Sequence, residues 1–244
     1  MDNELFALAV EAALRIPTSG IGTLSEKKVH AALKYYVQPD NTKHEVKLNG
    51  FVSDALSDVG VFEIQTREFY RLSKKLERLL ENITVTVVYP IISEKTLYLT
   101  DSETGEVTVR KSPKRMNVYN VFGELYAIRK FIASKNLRLR LITLAAEEHR
   151  VIKARTSKRG RKKVEALSSE TVPTEIYDDI TLSAAEDYAK LLPYDLPTPF
   201  TSADIASACR CSRSYASVML LVLTELKVVE RIGKTGKSYL YRVV

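Results

Sequence analysis

Asp54, Glu63 and Gln65 fall within twelve residues, in Phe51-Val52-Ser53-Asp54 and, after a spacer of eight, Glu63-Ile64-Gln65. Alternation along a strand sends Glu63 and Gln65 to one face and Phe62 and Ile64 to the other. If the two segments pair as a hairpin through Asp58-Val59, Asp54 lies across from Glu63 on the same face. Two carboxylates set so close repel unless a cation sits between them, and oxygen ligation of that kind suits Mg²⁺ or Mn²⁺. Such an ion polarises a phosphate and activates water, which is the chemistry of phosphodiester hydrolysis. Taken singly, Glu63 also has the simpler reading of an exposed strand residue.

Those side chains need strands to hold them, and the neighbouring sequence supplies the signals. Val29, Ala32, Leu33 and Tyr36 recur at helical spacing, so 24–37 is expected to be an amphipathic helix, stopped by Pro39-Asp40-Asn41. Strands are expected at 43–48, 50–57 and 60–66, turning at Asn49-Gly50 and again between Asp58 and Gly60. From Glu68 the period changes. Phe69, Leu72, Leu76, Leu79 and Leu80 mark the inner side of a helix, with Arg71, Lys74, Lys75 and Arg78 elsewhere around it. Ile83 to Tyr89 is a β-branched run suited to a buried strand, and Pro90 is expected to end it. A hairpin at 96–100 and 106–110, a helix at 118–134 and a strand at 137–144 follow.

Ser53-Asp54, the eight-residue spacer and Glu63-Ile64-Gln65 resemble the active-site pattern of the PD-(D/E)XK, or restriction-endonuclease-like, nuclease superfamily. The resemblance covers about residues 20–90, including the order helix, three strands, helix, strand. It implies an α/β (α+β) fold with a mixed sheet flanked by helices, and Mg²⁺ or Mn²⁺ held by Asp54 and Glu63. It also implies that Glu26 of the first helix assists. Thr23-Leu24-Ser25-Glu26 by itself reads as a capping box, in which Glu26 folds back on the helix start. Two positions depart from the pattern. Ser53 stands where proline is usual, and Gln65 stands where lysine is usual. Glutamine is neutral and can only hydrogen-bond and position. The segments Gly20-Ile21-Gly22-Thr23-Leu24 and Glu63-Ile64-Gln65-Thr66-Arg67 also resemble an uncharacterised bacterial family.

The C-terminal stretch has its own pattern. Ala184 to Leu192 is helical, Thr201 with Asp204 caps a short helix, and Ser212 caps a long one whose inner face is Ala216, Met219, Leu220, Leu223 and Leu226. Strands at 228–232 and 238–243 flank Gly233-Lys234-Thr235-Gly236-Lys237. This is the order of a winged helix-turn-helix. Arg213, Ser214, Tyr215 and Ser217 near the start of the long helix suit major-groove reading, and Lys234 and Lys237 suit phosphate contacts. The lysine-glycine turn ends like a phosphate-binding P-loop, but Arg231 stands where its first glycine belongs, and it joins two strands.

Between the two units, residues 153–163 hold seven lysines and arginines with almost nothing apolar. Arg159, Arg161, Lys162 and Lys163 there read as a solvated segment, as a phosphate-contacting arm, or as both. The expected division is a nuclease-like domain at 1–152, a basic linker at 153–174 and a winged-helix domain at 175–244.

Composition narrows the class. The chain has 244 residues, a formal charge of +7 and 45% hydrophobic residues, ordinary for a globular protein with a basic excess. Cys209 and Cys211 build no disulfide framework and lie at no zinc spacing. His30, His44 and His149 show no triad spacing, and His30, one turn after Glu26, reads either as a surface residue or as a neighbour of the cleft. No apolar run spans a bilayer, and the acidic start followed by an apolar run broken at Glu11 reads as an amphipathic helix, which leads to the expectation of a cytoplasmic protein. Double-stranded DNA is the expected partner, and a homodimer is compatible with the sequence. The alternatives are a non-catalytic DNA-binding regulator on a degenerate nuclease fold, which Gln65 favours, and a protein-interaction platform.

Overall fold

The computed structural model describes residues 2–16, 24–156 and 162–244, and the side chains of all of these except 24–27, 154–156 and 162–164. Helix α1 (Asn3–Leu14) starts at Asp2, whose carboxylate accepts the Leu5 N–H and satisfies one free donor of the first turn. It buries Phe6, Ala9 and Ala13 against α2 (Leu24–Val37), where Val29, Ala32, Leu33 and Tyr36 are buried as their spacing predicts. Lys28 of α2 is itself buried, and its ammonium donates to the carbonyls of Ala13, Leu14 and Ile16. A cation there satisfies the open carbonyl end of α1 and opposes its dipole.

Strands β1 (His44–Leu48), β2 (Phe51–Ser57) and β3 (Gly60–Ile64) form an antiparallel meander. Asn49 and Gly50 both take positive φ, 49° and 83°, as a two-residue hairpin turn requires. Gly60 is needed twice over. Its φ is +150°, and a Cβ there would lie 2.0 Å from the carbonyl oxygen of Thr84. Gly60→Ala is therefore expected to cost about 2–3 kcal/mol, read as a lower denaturant midpoint at unchanged slope.

Helix α3 (Ser73–Leu79) carries the chain to β4 (Val85–Asp101), which runs parallel to β3. Contrary to expectation, β4 does not end at Pro90. Gln65 N–H bonds the Val88 carbonyl, so Val88, and Pro90 at the same parity, face the β3 side. β3 stops at Ile64, so the missing proline N–H removes no ladder bond. Beyond it β4 pairs with β5 (Val107–Lys111), the expected hairpin. Helix α4 (Val121–Ala127), shorter than the helix expected there, leads to β6 (Leu137–Thr156) and β7 (Lys162–Leu182). The mixed sheet has the order β1-β2-β3-β4-β6-β7, with β5 beside the far half of β4. Helices α1 and α2 pack on Ile64, Val88, Ile142 and Leu144, while α3 and α4 lie over Val87, Tyr89, Leu139 and Leu141. The α+β architecture of a mixed sheet flanked by helices is the one observed.

The expected basic linker at 153–174 is corrected. β6 and β7 pair out to Thr156↔Lys162, so all of that stretch outside 157–161 is strand. Polar composition signals a loop only where the backbone lacks partners, and two antiparallel strands satisfy each other's hydrogen bonds with no buried face. Arg159 and Arg161 lie outside the described residues. Lys162 and Lys163 begin β7, and their side chains also lie outside. β7 is the last strand of the sheet; Pro173 interrupts its donors, and Asn3 takes the N–H of Ile176.

The boundary at 175 is corrected as well, because residues up to Leu182 complete β7. The C-terminal unit follows it, with α5 (Ala185–Ala189), α6 (Ser202–Ala208), α7 (Arg213–Glu225), β8 (Val229–Thr235) and β9 (Ser238–Val243). Thr201 and Asp204 form the reciprocal cap of α6, and Ser212 Oγ accepts the Tyr215 N–H at the start of α7. All five expected inner residues of α7 are buried. They belong to one continuous core with α4 and β6, so this unit has no separate core.

Candidate active site

The β2–β3 pairing runs Ser57↔Gly60, Leu56↔Val61, Ala55↔Phe62 and stops. One residue further on, where the register would set Asp54 opposite Glu63, the backbone N–H of Ile64 bonds Asp54 Oδ2 at 2.7 Å. The other oxygen of Asp54 lies 3.2 Å from His30 Nε2 of α2. Burial by itself would raise this carboxyl, but the His30 hydrogen bond and charge, the Ile64 N–H and the more distant Lys34 outweigh it and hold Asp54 below the usual carboxylate range.

Glu63 is 4% exposed. Its Oε2 accepts from Lys75 Nζ of α3 at 2.6 Å, and the same ammonium donates to the Val52 carbonyl at 2.6 Å. Its Oε1 and Ser53 Oγ are buried near each other without a well-formed hydrogen bond. Burial pushes this carboxyl up; Lys75 opposes the shift and the nearby charge of Asp54 adds to it. Two acids in one cleft thus have their pKa values driven apart, a pattern of sites that must hold one group ionised beside another that gives up its proton less readily.

Gln65 donates to the Arg67 carbonyl at 2.5 Å and lines the cleft without bringing a charge. The cation comes from Lys75, one of the basic residues expected elsewhere around the helix than its apolar side. A signal was present: Lys75 lies three residues after Leu72 and four before Leu79, so it borders the buried stripe and is itself half-buried. Of its two readings, His30 takes the one beside the cleft, as the partner of Asp54. Glu26 lies in the first turn of α2, one turn before His30, but its side chain is outside the described residues, so neither of its two roles is decided. The open cleft holds about 690 Å³, and Arg67, Arg71 and Lys74 join Asp54, Glu63 and Lys75 in lining it. Among the described residues, no group of three or more His, Cys, Asp or Glu is placed to hold a metal.

In the C-terminal unit, Arg213, Ser214 and Ser217 are exposed on α7, and Lys234 and Lys237 on the β8–β9 hairpin. Tyr215 is corrected. Its hydroxyl accepts the Gly123 N–H of α4 at 2.9 Å and lies 2.8 and 3.0 Å from the carbonyls of Asn120 and Tyr119, so it ties α7 to the main unit. The hairpin also presents Arg231, which was not among the expected DNA contacts; its guanidinium lies 3.6 Å from the centre of the Tyr239 ring, with Lys234 at 4.6 Å. Among the described residues, no helix is long and apolar enough to cross a membrane.

Residues 27–183 match the family model described as a domain of unknown function (DUF8091). The chain belongs to this family. The matched region ends one residue after β7, so the family domain is the mixed sheet with its cleft, and α5 to β9 lie outside it. An uncharacterized protein of Treponema pallidum (strain Nichols) is 30% identical over 128 residues, 52% of this chain and 51% of that protein. The chain thus spans about half the length of the curated relative it matches. No solved structure matches the chain.

Proposed function

We propose that this protein is a metal-dependent DNA endonuclease of the restriction-endonuclease-like kind, hydrolysing phosphodiester bonds in double-stranded DNA. The observation that carries this reading is the salt bridge of Lys75 with the buried Glu63 beside Asp54. It gathers two carboxylates and a lysine in one cleft although position 65 is glutamine. The donor set fits Mg²⁺ or Mn²⁺: both carboxylates are oxygen donors, Glu63 Oε1 is buried without a well-formed hydrogen bond, and Mg²⁺ commonly takes one or two carboxylates and keeps several waters. When bound, such an ion supplies Lewis-acid polarisation of a phosphate oxygen and activation of water.

The chain's own residues do the rest. His30 and the Ile64 N–H keep Asp54 ionised. Lys75 places a positive charge where a phosphate oxygen and the attacking water come together. Gln65 can orient water by hydrogen bonding, and Arg67, Arg71 and Lys74 offer contacts to neighbouring phosphates. A winged-helix reading of α6, α7 and the β8–β9 hairpin gives Arg213, Ser214, Ser217, Lys234 and Lys237 to the duplex. The basic sequence stretch 153–163, with Arg159, Arg161, Lys162 and Lys163, adds charge for the backbone.

A second reading, a non-catalytic DNA-binding regulator, is favoured by one observation: each carboxylate already has an internal basic partner, His30 or Lys75. Cleavage of supercoiled plasmid with Mg²⁺ or Mn²⁺ by wild type, Asp54→Ala and Glu63→Ala separates the two. Nicking by wild type alone is the expected result. An inert wild type that still retards DNA in a gel establishes the regulator. A second readout needs no substrate. Mn²⁺ at a hundred times its dissociation constant is expected to stabilise the wild type by about 2.7 kcal/mol, seen as a higher thermal midpoint that Glu63→Ala does not show.

A further inference from the structure

Along β4 the sheet has a notch. β3 stops pairing at Ile64↔Val88 and β5 starts at Thr96↔Lys111, so the stretch of β4 between them has β6 on one side and, on the other, no strand but the 112–116 segment, whose Met116 N–H bonds the Ile92 carbonyl and whose Ser112 N–H bonds that of Lys95. A cavity of about 240 Å³ opens there. Val29, Pro90, Ile92 and Met116 supply its apolar lining, and Lys95, Arg150 and Thr171 much of its polar one. Thr66 lines both this cavity and the cleft of Asp54 and Glu63, which makes the two neighbours.

The basic side chains are held in place. Glu148, 4% exposed, accepts from Arg150 Nε at 2.6 Å and Ser169 Oγ at 2.8 Å, and its second oxygen lies 2.5 Å from Lys95 Nζ. Burial would raise this carboxyl, but Arg150, Lys95 and Ser169 bring it down to about 2, so it is an anion at any physiological pH. Two cations therefore face one anion. A surplus positive charge in a half-buried wall is costly unless a counter-anion meets it. The bond to Glu148 uses one of the five N–H donors of Arg150, and the ammonium of Lys95 has three. Thr171 is buried and Thr66 half-buried, and both bring hydroxyls.

We propose that this notch is a phosphate subsite, in which Lys95 and Arg150, positioned by Glu148, bind the phosphate group of a nucleotide next to the cleft. The volume exceeds that of a bare phosphate and leaves room for an attached sugar over the apolar lining. The anion site stands on the notch geometry alone; its assignment to nucleic acid rests on the nuclease reading.

The test is calorimetric titration of the full chain with inorganic phosphate and with thymidine 5′-monophosphate. Wild type is expected to bind, Arg150→Met and Lys95→Met each to bind at least tenfold more weakly, and Lys130→Met, at an exposed lysine outside both sites, to bind as wild type. A nucleotide preferred over free phosphate assigns the site to nucleic acid; equal affinities assign it to free phosphate and keep the anion site. Should the variants fail to fold, protection of Lys95 of the wild type from acetylation by either probe supports the site, and unchanged acetylation overturns it. Absence of binding by wild type, or folded Arg150→Met and Lys95→Met chains that bind as wild type does, also overturns it. A wild type that cleaves DNA while folded Arg150→Met binds phosphate normally loses this inference and keeps the nuclease. One that never cleaves but shows the expected losses does the reverse.

Discussion

Lys75→Met is expected to slow plasmid cleavage by at least about a hundredfold, the usual cost of removing one group that stabilises charge at a reacting centre, with little change in DNA affinity. Lys75 reaches Glu63 from a neighbouring helix and not from the strand that carries Gln65. Its contribution is therefore separable from that of position 65. Gln65→Ala is expected to cost less than Lys75→Met, and Gln65→Lys in the Lys75→Met background to restore part of the rate. If Lys75→Met cuts normally, Lys75 is a structural counter-ion only. The pH profile gives an independent readout. Glu63 must be ionised to ligate a metal, and its pKa is already raised by burial. Activity is then lost as pH falls through that raised value, and removing Lys75 moves the acidic limb to higher pH. The same raised pKa means that ionised Glu63 costs stability as pH rises through it.

Residues 183–244 expressed alone are expected to lack a cooperative thermal transition, whereas the full chain melts in one. Met219, Leu220 and Leu223 of α7 share a core with Phe122 and Leu125 of α4 and with Leu139 and Leu141 of β6. Cutting after β7 exposes that face on both pieces, and a unit of about sixty residues with half its core missing cannot meet its conformational entropy cost. Near-ultraviolet circular dichroism and calorimetry of the fragment check this; a fragment with a sharp transition of its own restores the two-domain division. Tyr215→Phe is the milder probe. It removes the hydroxyl that meets Gly123, Asn120 and Tyr119, at a cost of about 1–2 kcal/mol.

Local pattern was enough for much of the architecture. The stripe of α7, the reciprocal cap at Thr201 and Asp204 and the Asn49-Gly50 turn are all decided by residues a few positions apart, where period and turn chemistry act. Asp54 and Glu63 were legible for the same reason, since one hairpin brings them together. What stayed hidden depends on distant pairing. That β4 runs on past Pro90 follows only from where β3 stops, and that 162–174 is strand follows only from β6 lying beside it. His30 on Asp54 and Lys75 on Glu63 are contacts between elements whose packing no local period encodes. Tyr215, read as a DNA contact from its place on α7, faces inward because α4 lies alongside.

The end of the sheet at β7 bears on how copies of this chain behave in concentrated solution. A strand of twenty-one residues at a sheet margin would ordinarily template addition of another chain. Here the side chain of Asn3 occupies the Ile176 N–H, Pro173 offers none, and the pairing slips at three places along β6. Each interrupts the row of donors and acceptors that an incoming strand would need. Around residues 173–176 the margin is interrupted, and a homodimer formed by continuing the sheet there would first have to displace Asn3 from Ile176.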